Sequence, residues 1–93
     1  MNPCTDAQIA TAMTDLPDWH LEDGHLARDW TFRSFVEAFG FISRVALLAE
    51  RQSHHPNLSN CYNQVGIRLI THDVGALTEL DFKLARGIDR LLA

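Results

Sequence analysis

Cysteine is scarce in this sequence, and long apolar runs are missing. The two cysteines, Cys4 and Cys61, lie far apart and form no CxxC pair, so their spacing indicates neither a zinc knuckle nor a disulfide framework. Two free thiols are typical of a reducing cytosol, although a single bridge stays open. No apolar stretch approaches the roughly 20 residues that cross a bilayer, and the sequence does not start with the basic and apolar segments of a secretory signal. We therefore expect a soluble cytoplasmic protein that does not enter a membrane.

Positive charge is also in short supply. The chain has 8 Lys and Arg residues against 12 Asp and Glu residues, a formal net charge of −4. A nucleic-acid-binding surface requires an excess of Lys and Arg, so direct binding of nucleic acid is not expected. The sequence contains no glycine-rich phosphate loop and no GxSxG motif, so it indicates neither a nucleotide cofactor nor a serine nucleophile elbow.

Length and composition together predict one folded domain. The 93 residues, 46% hydrophobic and 22% charged, are ordinary for a globular domain over 1–93 and too few for two cores. A chain this short buries only about 60–65% of its unfolded surface. Domains that bury so little surface are often stabilised by oligomerisation, and we expect a homo-oligomer here.

Hydrophobic periodicity and capping residues predict three helices and four strands. Capping boxes open the first helix at Thr5 and Gln8 and the second at Ser34 and Glu37, and Thr78 caps the last. The predicted elements are helix 5–16, a hairpin over 19–33 with its turn at Asp23-Gly24, helix 34–53, two strands over 58–72 with a turn near Asn63-Gln64, and helix 79–93. This order, α-β-β-α-β-β-α, predicts an α+β domain, a four-stranded antiparallel sheet with three helices packed on one face.

One apolar stripe on the second helix is expected to form the spine of the core. Its members recur at helical spacing and are Phe35, Phe39, Ile42, Ala46 and Ala49, with Val45 and Leu48 alongside. The corresponding buried stripes elsewhere are Leu80, Leu84, Ile88 and Leu91 on the last helix, and Val65, Ile67, Leu69 and Thr71 on the last strand.

The segment Glu50-x-x-x-His54-His55-Pro56 combines a carboxylate with two adjacent imidazoles. Glu50 and His54 are one helical turn apart, so we expect their side chains to meet and the carboxylate to fix the tautomer of the imidazole. Pro56 should end the helix near Ser53 and hold His55 extended, pointing away from His54. The alternative without a catalytic role is a helix C-cap, in which a histidine satisfies the terminal carbonyls beside a surface glutamate.

A third histidine and a second carboxylate follow later in the chain. His72 ends the fourth predicted strand, and Asp81 lies in the first turn of the last helix, where its alternative role is to stabilise the helix dipole. In a helix-on-sheet domain a strand end and a helix exit can face one cleft, so the three imidazoles can converge there with Glu50 and Asp81. Three histidines can ligate zinc, but the adjacent pair lacks the HExxH spacing and no cysteine lies at ligand spacing. Metal-free general acid–base chemistry is therefore the favoured interpretation.

These residues and their spacing resemble the signature of the pterin-4a-carbinolamine dehydratase family. The matching pattern is Glu50-x-x-x-His54-His55-Pro56, then Tyr62, then nine residues to His72 and eight more to Asp81. The segments AFGFISRVALLAE, YNQVGIRLITHD and LTELDFKLARGID are also similar to that family, and Trp19 matches its tryptophan before the hairpin turn. One departure is DVGAL, where many members have two consecutive glycines, but Ala76 replaces no catalytic group.

The resemblance implies the same fold, subunits that pair through their sheets into a homodimer or homotetramer, and no metal or other cofactor. It also implies a hydro-lyase reaction, the dehydration of 4a-hydroxytetrahydropterin (4a-hydroxytetrahydrobiopterin) to quinonoid dihydropterin in tetrahydrobiopterin recycling. A second role is implied as well, because members of this family also act as dimerisation cofactors of a transcription factor or resemble assembly chaperones. The candidate protein partners are then a pterin-dependent hydroxylase or a transcription factor. An enzyme acting on another small ring with the same acid–base groups is a third alternative.

Residue roles also follow from the resemblance, position by position. His54 and His72 would form the main acid–base pair, with the acid and the base unassigned, and His55 would help to bind and polarise the ring. Glu50 would orient His54, and Asp81 would support the histidine cluster. The remaining residues would border the pterin, and they are Ser53, Ile70, Thr71 and Asp73, with Trp19 near the cleft.

Overall fold

The computed structural model describes residues 1–92 and has the predicted element order. The elements are α1 (Asp6–Met13), β1 (His20–Glu22), β2 (His25–Thr31), α2 (Phe35–Gln52), β3 (Asn57–Cys61), β4 (Gln64–Leu69) and α3 (Glu79–Leu91). The four strands form one sheet in the order β1-β2-β4-β3, with every neighbouring pair antiparallel. The predicted α+β architecture is thus confirmed. The last helix was predicted to reach Ala93, which lies outside the described residues, and it ends at Leu91.

The helices begin where the capping residues indicate, with one difference in detail. Thr5 and Gln8 form the expected capping box on α1. On α2 the Ser34 hydroxyl accepts the Glu37 N–H at 3.1 Å, but the Glu37 carboxylate turns to Arg33 and accepts from its backbone N–H and its guanidinium. The second half of the predicted box on α2 is therefore wrong, because an ion pair with a preceding arginine competes for the same carboxylate.

Both hairpins close with two-residue turns. Asp23 and Gly24 have φ values of 51° and 78° between the paired residues Glu22 and His25, so the predicted turn is confirmed and has the backbone of a type I′ turn. The second turn comprises Tyr62 and the residue after it, one position earlier than predicted, since Cys61 already pairs with Gln64. Tyr62 carries a positive φ of 54°, which the sequence did not reveal because tyrosine rarely adopts it.

The core lies between the inner face of the sheet, α2 and α3. From the sheet it takes Leu26, Val65, Ile67 and Leu69, and from α3 it takes Phe82, Leu84 and Ile88. None of the helices in residues 1–92 is long and apolar enough to cross a membrane.

The buried face of α2 differs from the prediction. The residues it buries are Ala38, Phe41, Val45, Leu48 and Ala49. Phe35 and Phe39, expected at the centre of the core, are 47% and 52% exposed, and Ala46 is exposed as well. At about 100° per residue, apolar side chains cover two sides of this helix, and the sequence pattern alone does not say which side faces inward.

The outer face of the sheet is polar and open. Arg68, between the buried residues Ile67 and Leu69, points outward by strand alternation. Its guanidinium reaches Glu22 at 2.7 Å and Asp29 at 3.0 Å and so ties three strands together. The hydrogen bond from Arg68, with a smaller contribution from His20, holds the pKa of the Glu22 carboxyl below its ordinary value of 4.5.

Candidate active site

The end of α2 determines where His54 lies. Ser53 adopts the left-handed conformation, with φ 53° and ψ 38°. Its N–H donates to the Glu50 carbonyl and the N–H of His54 donates to the Ala49 carbonyl, both at 3.1 Å. These are the two bonds of a Schellman motif, which reverses the chain at the helix end. The reversal turns the His54 side chain inward, so that only 8% of the residue is exposed.

His54 meets a carboxylate from α3. Its Nε2 lies 2.6 Å from Oδ1 of Asp81, which is fully buried in the first turn of α3. The other oxygen, Oδ2, accepts the Thr78 N–H and the Thr71 hydroxyl, both at 2.9 Å. The backbone bond completes a capping box on α3, so Asp81 both caps its helix and holds the imidazole.

Glu50 contacts His55 and not His54, so the expected meeting of Glu50 with His54 is wrong. Oε1 of Glu50 lies 2.8 Å from Nε2 of His55, and the Glu50 side chain is 80% exposed. The i, i+4 rule holds only within a continuous helix, and the left-handed Ser53 takes His54 off the helical path before the turn is complete. Each adjacent histidine therefore has its own carboxylate, one buried and one at the surface.

A short loop after β4 supplies the third histidine. Thr71 pairs with Ala76 in an isolated antiparallel bridge, and the N–H of Gly75 donates to the Thr71 carbonyl at 2.9 Å. Gly75 has a φ of 66°, which suits glycine, whereas Ala76 has no positive φ. The single glycine of DVGAL thus meets the conformational need of the loop. His72 and Asp73 are exposed at its tip.

One cavity of about 210 Å³ lies between the exit of α2, this loop and the start of α3. Its lining residues are Ser53, His54, His55, Ile70, Thr71, His72, Asp73 and Leu80. The structure therefore brings the three histidines together with the four residues expected to border the pterin. Leu80 was predicted only as a core residue, since nothing in its apolar character distinguishes a cavity wall from a helix interface.

Trp19 does not lie at this cavity, so its predicted place near the cleft is wrong. Its indole N–H donates to Oδ1 of Asp89 at 2.8 Å, and its ring packs edge-on against Trp30. Asp89 follows Asp81 by two turns of α3, about 12 Å along the helix axis. Trp19 instead closes the core beside Arg28, which shares the same carboxylate at 2.8 Å.

The chemistry of the lining residues distinguishes this cavity better than its size does. Three larger cavities on the described part of the chain are lined by no histidine. Imidazole is the side chain that both gives and takes protons near neutral pH, and three of them here surround one space. Within residues 1–92 the His, Cys, Asp and Glu side chains form no group of three or more that could hold a metal ion. The arrangement suits proton transfer to and from a small bound molecule.

Comparison with known proteins gives consistent matches over almost the whole chain. The family model for pterin 4 alpha carbinolamine dehydratase matches residues 2–91. A protein of Synechococcus sp. (strain WH7803) is 57% identical over 87% of both chains. A Rhodospirillum rubrum protein is 48% identical over 98% of this chain and 93% of its own. Both carry the name "putative pterin-4-alpha-carbinolamine dehydratase".

Two solved structures share the fold. The first, described as a transcriptional coactivator/pterin dehydratase from Brucella melitensis, is 36% identical with a TM-score of 0.93, covering 99% of this chain and 100% of that one. The second is a pterin dehydratase-like protein described as a RuBisCO assembly factor in the alpha-carboxysome. It is 23% identical with a TM-score of 0.64, over 78% of this chain and 84% of that one. At that identity the second structure shows a similar fold and no more.

Proposed function

Because the chain belongs to the pterin 4 alpha carbinolamine dehydratase family, we propose that it dehydrates 4a-hydroxytetrahydropterin to quinonoid dihydropterin. The observation that carries the proposal is the cavity with three imidazoles, two of which are each held by a carboxylate. The natural substrate is then 4a-hydroxytetrahydrobiopterin, and the reaction belongs to tetrahydrobiopterin recycling. The reaction proceeds without a metal and in the cytoplasm.

The reaction needs only proton transfers. The C4a–O bond breaks as an acid protonates the 4a-hydroxyl, which leaves as water. The proton on N5 goes to a base, and the electron pair of that N–H bond forms the C4a=N5 double bond. Nothing is oxidised or reduced, so no further reactant is required. Positioned imidazoles can supply both the acid and the base, and such groups contribute about 10²–10⁴-fold to a rate.

The roles divide according to the surroundings of each histidine. His54 and His72, which both line the cavity, form the acid–base pair, and Asp81 holds His54. His55 is more exposed and is held by Glu50, which suits a role in binding and polarising the ring. The ring is bordered, partly through backbone groups, by Ser53, Ile70, Thr71 and Asp73.

A dehydration assay with chemically prepared carbinolamine tests the proposal. We expect His54→Ala and His72→Ala each to lower kcat/KM by about 10²-fold or more, because each removes one of the two proton-transfer groups. His20→Ala is the matched control, since His20 is an exposed histidine outside the cavity, and it should retain full activity. If the two site variants dehydrate the substrate as fast as the wild type while remaining folded, the proposal is wrong.

A role in binding another protein is the second candidate, and the exposed side of α2 favours it. Four large apolar side chains lie on that side: Phe35, Val36, Phe39 and Leu47. Apolar patches of this kind often mark protein interaction sites. The partner would be a second copy of the chain, a pterin-dependent hydroxylase or a transcription factor. A stoichiometric partner recovered from native extract with wild type and with His54→Ala alike, but not with Phe39→Lys, would support this role.

A further inference from the structure

A buried polar cluster connects the cavity loop with the start of α3. It consists of Thr71, Thr78, Asp81 and His54, of which Thr78 and Asp81 have no exposed surface. Buried polar groups are costly unless they are paired, and here every side chain of the cluster is hydrogen-bonded. A fully satisfied network in the interior is rigid and allows few alternative arrangements.

The hydrogen bonds in this cluster can run in one direction only. The backbone N–H of Thr78 donates to Oδ2 of Asp81, and the N–H of Leu80 donates to the Thr78 hydroxyl at 3.2 Å. The Thr71 hydroxyl lies 2.9 Å from the same Oδ2 and 2.7 Å from the Thr78 hydroxyl. Each hydroxyl has a single proton. The Thr71 proton goes to the carboxylate, and the Thr78 proton therefore goes to Thr71.

The Asp81 carboxylate determines which nitrogen of His54 carries the proton, because a carboxylate only accepts hydrogen bonds, and Thr71 and Thr78 hold that carboxylate in place. Oδ2 of Asp81 is occupied by two donors, so Oδ1 is the oxygen left to accept from Nε2 of His54 at 2.6 Å. Nδ1 of His54 makes no hydrogen bond to residues 1–92 and is not fully buried. It is thus the nitrogen left open to the cavity that His54 lines.

We propose that Thr71, held in turn by Thr78, is a positioning residue that fixes His54 in its Nε2–H tautomer and presents Nδ1 to the substrate. The hydroxyl of Thr71 is committed to the carboxylate and to Thr78, so it acts on the reaction through Asp81 and His54. The tautomer claim is independent of the reaction, whereas its consequence for turnover rests on the proposed dehydratase function.

The first test is the ¹⁵N NMR spectrum of the histidine rings in the wild-type protein, with His54 assigned by comparison with His54→Gln. We expect the neutral ring of His54 to show the protonated-nitrogen shift at Nε2 and the unprotonated shift at Nδ1. A neutral His54 with its proton on Nδ1 would overturn the proposal without any further variant.

The second test compares Thr71→Val, which keeps the shape and removes the donor, with Thr71→Ser, which keeps the donor. Loss of a hydrogen bond to a charged group corresponds to a change of about tenfold or more. We expect Thr71→Val to mix the two tautomers of His54 and to lower kcat by about tenfold with KM little changed. Thr71→Ser should keep the tautomer and kcat of the wild type. An unchanged tautomer in folded Thr71→Val, or a loss confined to KM, would contradict the proposal. If the wild-type protein does not dehydrate the carbinolamine, the proposed function fails, while the two NMR comparisons still decide the role of Thr71.

Discussion

The carboxylate of Asp81 is buried and accepts three hydrogen bonds, whereas the carboxylate of Glu50 is exposed and accepts one. Each holds a histidine of the same cavity, so substitutions of the two residues can be compared with each other. In Asp81→Asn the amide NH₂ either faces a donor or forces His54 to carry its proton on Nδ1, and the three hydrogen bonds to a charged acceptor are lost. We expect this change to lower the free energy of unfolding by about 1–3 kcal/mol, and Glu50→Gln to change it by less than about 0.5 kcal/mol.

Urea unfolding of the two variants measures this difference, and the dehydration assay adds a second reading. Asp81→Asn should also lose activity, because His54 loses its acceptor. Equal losses of stability in the two variants would contradict the assignment of Asp81 as the buried member of the pair.

Glu22 gives a prediction for acid conditions. The hydrogen bond from Arg68 lowers the pKa of its carboxyl below the ordinary 4.5, so the ionised form is favoured in the folded state. A group whose pKa is lowered on folding stabilises the protein above its unfolded pKa, and that contribution disappears as the pH falls through the folded pKa. We therefore expect Glu22→Gln to be less stable than the wild type at about pH 7, and this difference to be smaller at about pH 3.

Unfolding by urea at these two pH values checks the prediction. A stability difference between wild type and Glu22→Gln that does not shrink in acid would mean that the ion pair with Arg68 is not its source.

At the scale of elements, the left-handed Ser53 makes the end of α2 a strained position. A non-glycine residue in this conformation costs about 1 kcal/mol, and a β-branched residue costs more. We expect Ser53→Gly to stabilise the protein by about 1 kcal/mol and Ser53→Val to destabilise it by about 1–2 kcal/mol. Tyr62, with a φ of 54° in an exposed turn far from the histidines, is the matched control, and Tyr62→Gly should give a similar gain.

Thermal unfolding of these variants distinguishes backbone strain from other effects. Since glycine preserves the backbone path, Ser53→Gly should also keep the orientation of His54. A gain in Tyr62→Gly together with a loss in Ser53→Gly would show that the serine side chain itself stabilises the helix end.

Local patterns in the sequence were sufficient to predict the elements and their order. Capping residues placed the starts of the helices, and Asp23-Gly24 placed one turn, because these effects act within a few residues. The side of α2 that faces inward was not predictable, since apolar residues occur on both sides of it. The partner of Glu50 was mispredicted for a related reason, because the chain reversal at Ser53 has no signature in residue type.

The same limit explains what was predicted of the candidate site. The convergence of His54, His55 and His72 follows from topology, since a strand end and a helix exit meet beside the start of α3. The hydroxyl of Thr78 was expected only to cap a helix, because its contact with Thr71 requires the loop to fold back. Trp19 was misplaced because a tryptophan in a core and one beside a cleft have the same sequence context.

At the scale of the whole molecule, the uncovered side of α2 bears on the state of assembly. Val36 and Leu47 are 78% and 73% exposed, and at 100° per residue they lie almost in line along the helix. Large apolar side chains in such a row are costly to leave in water. We expect the protein to self-associate through this side, in addition to the pairing of sheets that the family resemblance implies, and the variants Val36→Lys and Leu47→Lys to lower its mass in solution.

Light scattering measures the mass directly. Ala10→Lys is the control, because Ala10 is an exposed residue on α1, and it should leave the mass unchanged. A mass that is the same in the wild type and both α2 variants would indicate that this side of the helix stays uncovered or meets a different partner.

The Schellman end of α2 also makes the length of that helix a constraint on the chain. The number of residues between the buried Val45 and His54 fixes the direction in which the imidazole points. One residue inserted between them would rotate the imidazole by about 100° and move it by about 1.5 Å. It would then miss Asp81 altogether. Substitutions on the outer side of α2 leave this distance intact, whereas an insertion or deletion does not. Natural variation in the length of the chain should therefore be found in the turn at Asp23-Gly24 and at the termini, and not between Val45 and Ser53.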